Sequence, residues 1–256
     1  MTASSHTARA HSFNAAAAQY AANRPSYPPA LFDVIEELSG RPLAGARVAD
    51  IGAGTGISTA LLAARGADVV AVEPGEGMAA EFRRAHLDIP IVRGSGNELP
   101  LATDSADLLT YAQAWHWTDT DRSVPEALRV LRPGGALALW WNTSALDVPW
   151  IDAQTTRMGR HFGADGVVDR NGSGVRTALA DPSGRLEFTH RRVRWSRQVP
   201  VDTHLANIGS HSIFLVQGEE SASVFLTEER AHLLTVFPDG IVEETYVVEL
   251  LVAKAA

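Results

Sequence analysis

The segment Asp50-Ile51-Gly52-Ala53-Gly54-Thr55-Gly56 constrains this chain more than any other, because it joins a short apolar run to a helical pattern. Three glycines in five positions permit a tight turn and let backbone N–H groups approach a ligand closely at a helix N-terminus. The dinucleotide fingerprint G-x-G-x-x-G requires glycine at position 57, and Ile57 stands there. The spacing present, G-x-G-x-G preceded by Asp50, suits a ligand that lacks a pyrophosphate. An acid at that place can hold an ammonium group, directly or through water.

Around the loop, short apolar runs alternate with helical patterns. Strands are predicted at 46–51, 68–72, 89–93, 107–113 and 135–141, with helices at 56–65, 76–86 and 121–131. Two further helices precede them: an Ala-rich one at 13–22, and one at 29–39 with Leu31, Ile35 and Leu38 on one face and Gly40 as its stop. After Trp141 the rhythm breaks, and 163–174 reads as a Gly/Asp/Asn-rich loop. Strands at 186–197 and 242–253 then flank a helical region near 202–235, and the last strand is expected antiparallel beside its predecessor. Leu131-Arg132-Pro133-Gly134-Gly135 reads as a helix stop and turn into strand five. The Arg191-Arg192-Val193-Arg194 run reads as the solvent face of a strand. The fold class is therefore α/β: a doubly wound, seven-stranded, mostly parallel Rossmann-like sheet with an antiparallel last strand. One domain spanning 1–256 is expected. It comprises an N-terminal helical lid (13–40), a cofactor-binding core (46–141), a cap on the acceptor side (142–235) and the final strand (242–253).

Glu73 lies nineteen residues beyond Gly54, at the C-terminal end of the second strand. A carboxylate there can accept hydrogen bonds from both hydroxyls of a ribose. Adenosine joined to an amino acid without phosphates describes S-adenosylmethionine.

Composition removes several alternatives. The 256 residues include no Cys, which excludes disulfides, thiolate metal sites and cysteine nucleophiles. Lys254 is the only lysine, so Schiff-base chemistry is confined to the far end of the chain. The formal charge of −8 lacks the basic excess of a nucleic-acid binder. No run approaches the roughly 18 apolar residues of a membrane span, and MTASSHTARAHSF lacks a signal-peptide apolar core. Neither nucleic acid nor membrane is expected as a partner, and a cytoplasmic monomer or homodimer is the expectation. His190, His204 and His211 are scattered without metal-ligand spacing, so no metal is expected.

VADIGAGTG (48–56), AVEPGEGM (71–78), GSGNELPLATDSADLLTYAQAWHW (94–117) and EALRVLRPGGALAL (126–139) together resemble class I S-adenosylmethionine-dependent methyltransferases. The likeness is to the type 11 branch that includes trans-aconitate and ubiquinone/menaquinone-pathway enzymes; YAANRPSYP (20–28) resembles the N-terminal element of the trans-aconitate-like group. The resemblance implies that Asp50, Gly52 and Gly54 surround the methionine end of the cofactor and Glu73 its ribose. It places Pro74 and Met78 near the ribose and the adenine face, Ser95 and Gly96 beside the adenine, and Asn97 close by. Many relatives carry Asp where Ser95 stands, so Asn97 or a backbone carbonyl is the alternative partner for the adenine amino group. Gln113 would face the methionine moiety, with Tyr20 and Arg24 closing the site from above and Arg24 near the carboxylate.

Ala114-Trp115-His116-Trp117 follows the fourth strand at the carboxyl edge, where open α/β sheets place their sites. Trp115 and Trp117 can wall an acceptor pocket or simply pack the next helix on the sheet. His116 is the candidate general base, with architecture as the alternative. Tyr27 from the lid and segments 142–175 and 202–216, including His211, are the other acceptor-side candidates. The reaction expected is in-line methyl transfer to a small-molecule acceptor at O, N or C, in bacterial secondary metabolism. Competing readings are a nicotinamide-dependent oxidoreductase on the same topology, which Ile57 argues against, and a non-catalytic S-adenosylmethionine-binding protein.

Overall fold

The computed structural model describes residues 24–163, 180–210, 214 and 219–255. Tyr20, His211, the expected helix 13–22 and nearly all of the glycine-rich stretch (164–174) lie outside the described residues.

Helix α1 (Pro29–Ser39) starts with a proline, whose missing N–H would have no partner there in any case. It buries Leu31, Phe32 and Ile35 and ends at Gly40, whose N–H donates to Glu36 O at 3.0 Å. The chain then runs β1 (Arg47–Ile51), α2 (Ile57–Ala64), β2 (Asp68–Glu73), α3 (Glu76–Ala85), β3 (Ile91–Arg93) and β4 (Ala106–Ala112). It continues through α4 (Thr120–Val130), β5 (Leu131–Ser144), α5 (Pro149–His161) and β6 (Thr189–Pro200) to α6 (Val201–Gly209), α7 (Glu219–Val236) and β7 (Ile241–Lys254).

All seven strands form one sheet in the order β3-β2-β1-β4-β5-β7-β6. β1 pairs in parallel with both β2 and β4, so the chain winds outward in two directions from the β1–β4 seam. β7 lies antiparallel between β5 and β6, as expected for the last strand. The central strands are buried on both faces, which explains why they read as near-continuous apolar runs. On one face α1 and α2 set Leu31, Phe32, Ile35 and Leu62 against Val48, Leu108 and Trp140. On the other, α4 sets Val124, Ala127 and Val130 against Ile51, Leu109, Tyr111 and Leu137. A separate cluster, including Phe162, Leu205, Phe225 and Leu233, joins α5, α6 and α7. Residues Arg191, Arg192 and Arg194 of β6 are exposed around a buried Val193, as read from the sequence.

One expectation is corrected. Leu131 does not end a helix before a separate turn; it is already strand, paired with Ala106 directly after α4. The next pairing is Leu108 with Ala136, so β5 carries three more residues than β4 across that interval. Arg132-Pro133-Gly134-Gly135 therefore forms a bulge inside β5. Among the described residues no helix is long and apolar enough to cross a membrane.

Candidate active site

The seam where winding reverses leaves a crevice beyond the carboxyl ends of β1, β2 and β4. The glycine loop closes its floor. Gly52 adopts φ 68°, and its N–H donates to Val72 O at 2.8 Å. A Cβ at Gly52 would stand 2.5 Å from Ala114 Cβ, so only glycine lets β1 and the post-β4 segment approach this closely.

Two carboxylates organise the crevice. Asp50, at the end of β1, has no exposed surface. Its Oδ2 accepts from Thr59 Oγ1 and its Oδ1 from Thr110 Oγ1, both at 2.7 Å. Burial pushes its carboxyl up to about 6, with the Glu73 charge adding and the two hydroxyls opposing. Glu73 ends β2. Its Oε2 accepts from Gly54 N at 2.8 Å and its Oε1 from Gly75 N at 2.6 Å. Burial raises this carboxyl too, against the two backbone N–H groups.

The adenine-side candidates form a second group. Met78 is buried on α3, and Pro74 is exposed with its carbonyl accepting from the Arg93 guanidinium. Ser95 and Glu98 bridge a tight turn, and a Cβ on Gly96 would meet Thr118 Cγ2 at 2.8 Å. Asn97 Oδ1 accepts from Asp119 N at 2.8 Å, which ties this turn to the start of α4.

Past β4, Gln113 adopts φ 59°, a left-handed conformation rare outside glycine. Its N–H donates to Trp140 O at 2.9 Å and its Nε2 to Asn142 O at 3.3 Å. The aromatic stretch then divides. Trp115 is 2% exposed, edge-on to Tyr111 at 4.7 Å, and donates Nε1–H to Ala180 O at 3.0 Å. It packs in the core, in keeping with the second of the two readings that the sequence allowed for it. Exposed His116 leans on Trp117 at 4.7 Å, and its Nδ1 accepts from Trp141 Nε1 at 3.1 Å. Tyr27 stands edge-on to the buried Trp140 at 5.8 Å, against the apolar cluster of α1.

Beside Gln113 a cavity of about 150 Å³ opens between the carboxyl end of β5, α5, α6 and β7. Arg24 lines it, and its Nη2 donates to Ser210 O at 3.3 Å. Deeper in, Glu244 Oε1 lies 2.7 Å from His204 Nδ1, and Arg197 donates to Glu244 Oε2. Burial alone would raise the Glu244 carboxyl, but His204 and Arg197 outweigh it and hold it at about 2. No group of three His, Asp or Glu residues able to hold a metal ion occurs among the described residues.

A family model described as a methyltransferase domain matches residues 49–139. An uncharacterized methyltransferase of Mycobacterium tuberculosis is 35% identical over 224 residues, 88% of this chain and 86% of its own length. The chain belongs to the class I S-adenosylmethionine-dependent methyltransferases. A demethylmenaquinone methyltransferase of Beutenbergia cavernae is 40% identical over 106 residues, 41% of this methyltransferase and 43% of its own chain. A solved structure from Anaeromyxobacter dehalogenans, a candidate type II methyltransferase, shares the fold with a TM-score of 0.66. It is 24% identical, and the match covers 91% of this chain and 98% of that one.

The methyltransferase fold thus brings Asp50, Gly52, Gly54, Glu73 and Gln113 to one crevice, and seats Arg24 at the cavity beside it. It buries Trp115 in the core and sets Tyr27 against the apolar cluster of α1. Sequence reasoning missed Thr59, Thr110, Asn142, Asn207 and Glu244. Thr110 had a readable signal, a hydroxyl in the middle of the apolar strand ADLLTYA. The others depend on how helices and strands distant in sequence meet.

Proposed function

We propose that S-adenosylmethionine lies along this crevice and that its methyl group passes to a small-molecule acceptor at O, N or C. The observation carrying this reading is the Glu73 carboxylate. One backbone N–H binds each of its oxygens, so two of its four lone-pair positions remain for the vicinal hydroxyls of a ribose. When bound, the cofactor supplies an electrophilic methyl on a sulfonium whose sulfur leaves with the bonding electron pair.

The residues of this chain bind, orient and exclude water. Gly54 offers the backbone at the methionine end, where no atom of the described residues, its chain neighbours apart, lies within 4 Å of the position a Cβ would take. Arg24 and Gln113 flank that end, with Arg24 proposed for the carboxylate and Tyr20 for the lid. Asp50, wholly buried, is proposed to act by its charge and by holding Thr59 and Thr110 beneath the loop. Pro74 and Met78 would border the ribose and adenine. Asn97 Oδ1 is committed to Asp119 N, so the backbone of Ser95 and Gly96 is proposed to meet the adenine. The Trp141 indole can only donate, so a neutral His116 carries its proton on Nε2 and its basic lone pair is engaged. That supports a positioning role for His116 over a general base. Trp117 and His211 remain the proposed acceptor-side residues from the sequence. Secondary metabolism, a cytoplasmic location and a monomer or homodimer complete the reading.

Calorimetry on the intact protein should give micromolar S-adenosylmethionine binding. Glu73→Ala should weaken it at least about tenfold, because two hydrogen bonds to a charged group are lost. Absence of any binding heat in the unmodified protein would overturn the proposal.

A further inference from the structure

Two asparagines in the cavity beside Gln113 each keep one polar atom in reserve. Asn142 Oδ1 accepts from Trp195 Nε1 at 3.0 Å, and an indole N–H can only donate. The assignment of that amide is therefore fixed by chemistry, and Nδ2 is the atom left over. Asn207 Nδ2 donates to Glu244 Oε1 at 3.2 Å and to Tyr246 Oη at 3.0 Å. Glu244, held ionised, can only accept, so Oδ1 is the leftover atom of Asn207. Both atoms, Asn142 Nδ2 and Asn207 Oδ1, are buried with no partner among the described residues. Asn207 as a whole is 3% exposed.

Neither amide is free to turn and satisfy itself. Trp195 stacks on Tyr246 at 5.2 Å with planes 27° apart, and Tyr246 in turn meets Asn207. His204 and Arg197 fix Glu244 from behind. The result is a rigid frame in which both asparagines line a cavity of about 150 Å³, one with a donor and the other with an acceptor still to be matched. A cavity of that volume holds about one six-membered ring. Buried polar atoms without partners are rare in native proteins and mark the place of a ligand or an ordered water.

We propose that this cavity is the acceptor subsite, and that it selects a ring-sized polar molecule whose hydroxyl or carboxamide accepts from Asn142 Nδ2 and donates to Asn207 Oδ1. The assignment rests on the methyltransferase reading above and deepens it by naming the acceptor class. A purely apolar acceptor would leave both amides unsatisfied on binding. A carboxylate, which only accepts, would face Asn207 Oδ1 with repulsion.

The test uses phenol, benzamide, benzoate and toluene, titrated by ligand-observed NMR into the protein with and without S-adenosylhomocysteine. Phenol and benzamide should bind at least about tenfold more tightly than toluene or benzoate. Asn207→Leu removes the acceptor. Asn142→Asp keeps an oxygen for Trp195 and removes the donor. Each should abolish the preference over toluene, and Asn207→Leu should also relieve the discrimination against benzoate, while the calorimetric affinity for S-adenosylmethionine stays within about twofold, which also reports that the variant is folded. Equal binding of all four probes, tighter binding of toluene or benzoate, or no binding at all would overturn the subsite. Failure of S-adenosylmethionine to bind the unmodified protein would instead overturn the cofactor reading. The probe series without S-adenosylhomocysteine separates the two outcomes.

Discussion

Asp50 shows how much of the site is decided by a single side chain. Its carboxyl is shut off from water and pushed up to about 6 from an ordinary 3.8. The folded protein therefore holds a proton that the unfolded chain has already released at pH 5. Its contribution to stability is present below about 3.8 and is lost as pH rises through 6, where charge must be buried. The cost above that window is at most about 3 kcal/mol, two pK steps of 1.36 kcal/mol each. Asn at this position stays neutral, accepts from one threonine hydroxyl and donates to the other. Asp50→Asn should raise the melting temperature at pH 8 and leave it little changed at pH 4. Thermal unfolding from pH 4 to 8 checks this, and a gap independent of pH would refute it. Asp50 and Glu73 were legible in the sequence because their distances from the glycine loop carry the signal. Thr110 stands out as a hydroxyl in an apolar strand, but that it and Thr59, sixty and nine residues from Asp50, meet this carboxylate depends on sheet register and helix placement. Trp115 and Trp117 could not be told apart for a related reason: both follow β4, and only the short turn that they share decides which ring faces inward.

At the scale of the element, the β1–α2 loop joins two glycines with different duties. Gly52 and Gly54 both take positive φ, 68° and 59°, which costs a residue with a Cβ about 1–2 kcal/mol. Beyond that shared cost they diverge. A methyl on Gly52 strikes Ala114 Cβ at 2.5 Å, whereas one on Gly54 meets nothing within 4 Å among the described residues beyond its chain neighbours. Gly52→Ala should therefore lower the melting temperature well beyond the effect of Gly54→Ala. Gly54→Ala should retain the fold and lose S-adenosylmethionine affinity, since its methyl enters the space assigned to the methionine end. Paired thermal unfolding and calorimetry resolve the two, and equal stability losses would contradict the packing argument. The strands themselves were readable because buried parallel strands are apolar nearly throughout. The start of β5 was not. Its proline and two glycines spell a turn locally, yet the pairing of Leu131 with Ala106 draws them into the strand as a bulge. Local chemistry and strand pairing disagreed there, and pairing prevailed.

Across the whole molecule, the insertion of β7 between β5 and β6 brings the last segment of the chain against the acceptor-side helices. That arrangement was expected only as an antiparallel neighbour, because sequence pattern gives direction and burial but not which edge a returning strand joins. Its consequence is an ion network that no local pattern announces. Glu244 of β7 meets His204 and Asn207 of α6 and Arg197 of β6. Gln154 of α5 extends it to Glu229 of α7, which holds Arg157. Three helices, α5, α6 and α7, are thereby tied to β6 and β7 beside the proposed acceptor cavity. Glu244 has its carboxyl held at about 2 against an ordinary 4.5, so it stabilises the fold above pH 4.5 and loses that contribution as pH falls toward 2. The shift of about 2.5 pK steps corresponds to about 3 kcal/mol at neutral pH. Glu244→Gln should therefore lower stability by up to that amount at pH 7, and leave Arg197 without its buried counter-charge. The loss should shrink as pH falls below 4.5, because the unfolded chain then gains a proton that the native carboxylate, held at about 2, does not bind. Urea unfolding of both proteins between pH 7 and 3 measures the gap. A gap that stays constant would mean that shape, and not charge, holds β7 against α6, and that the frame around Asn207 does not depend on Glu244 being ionised.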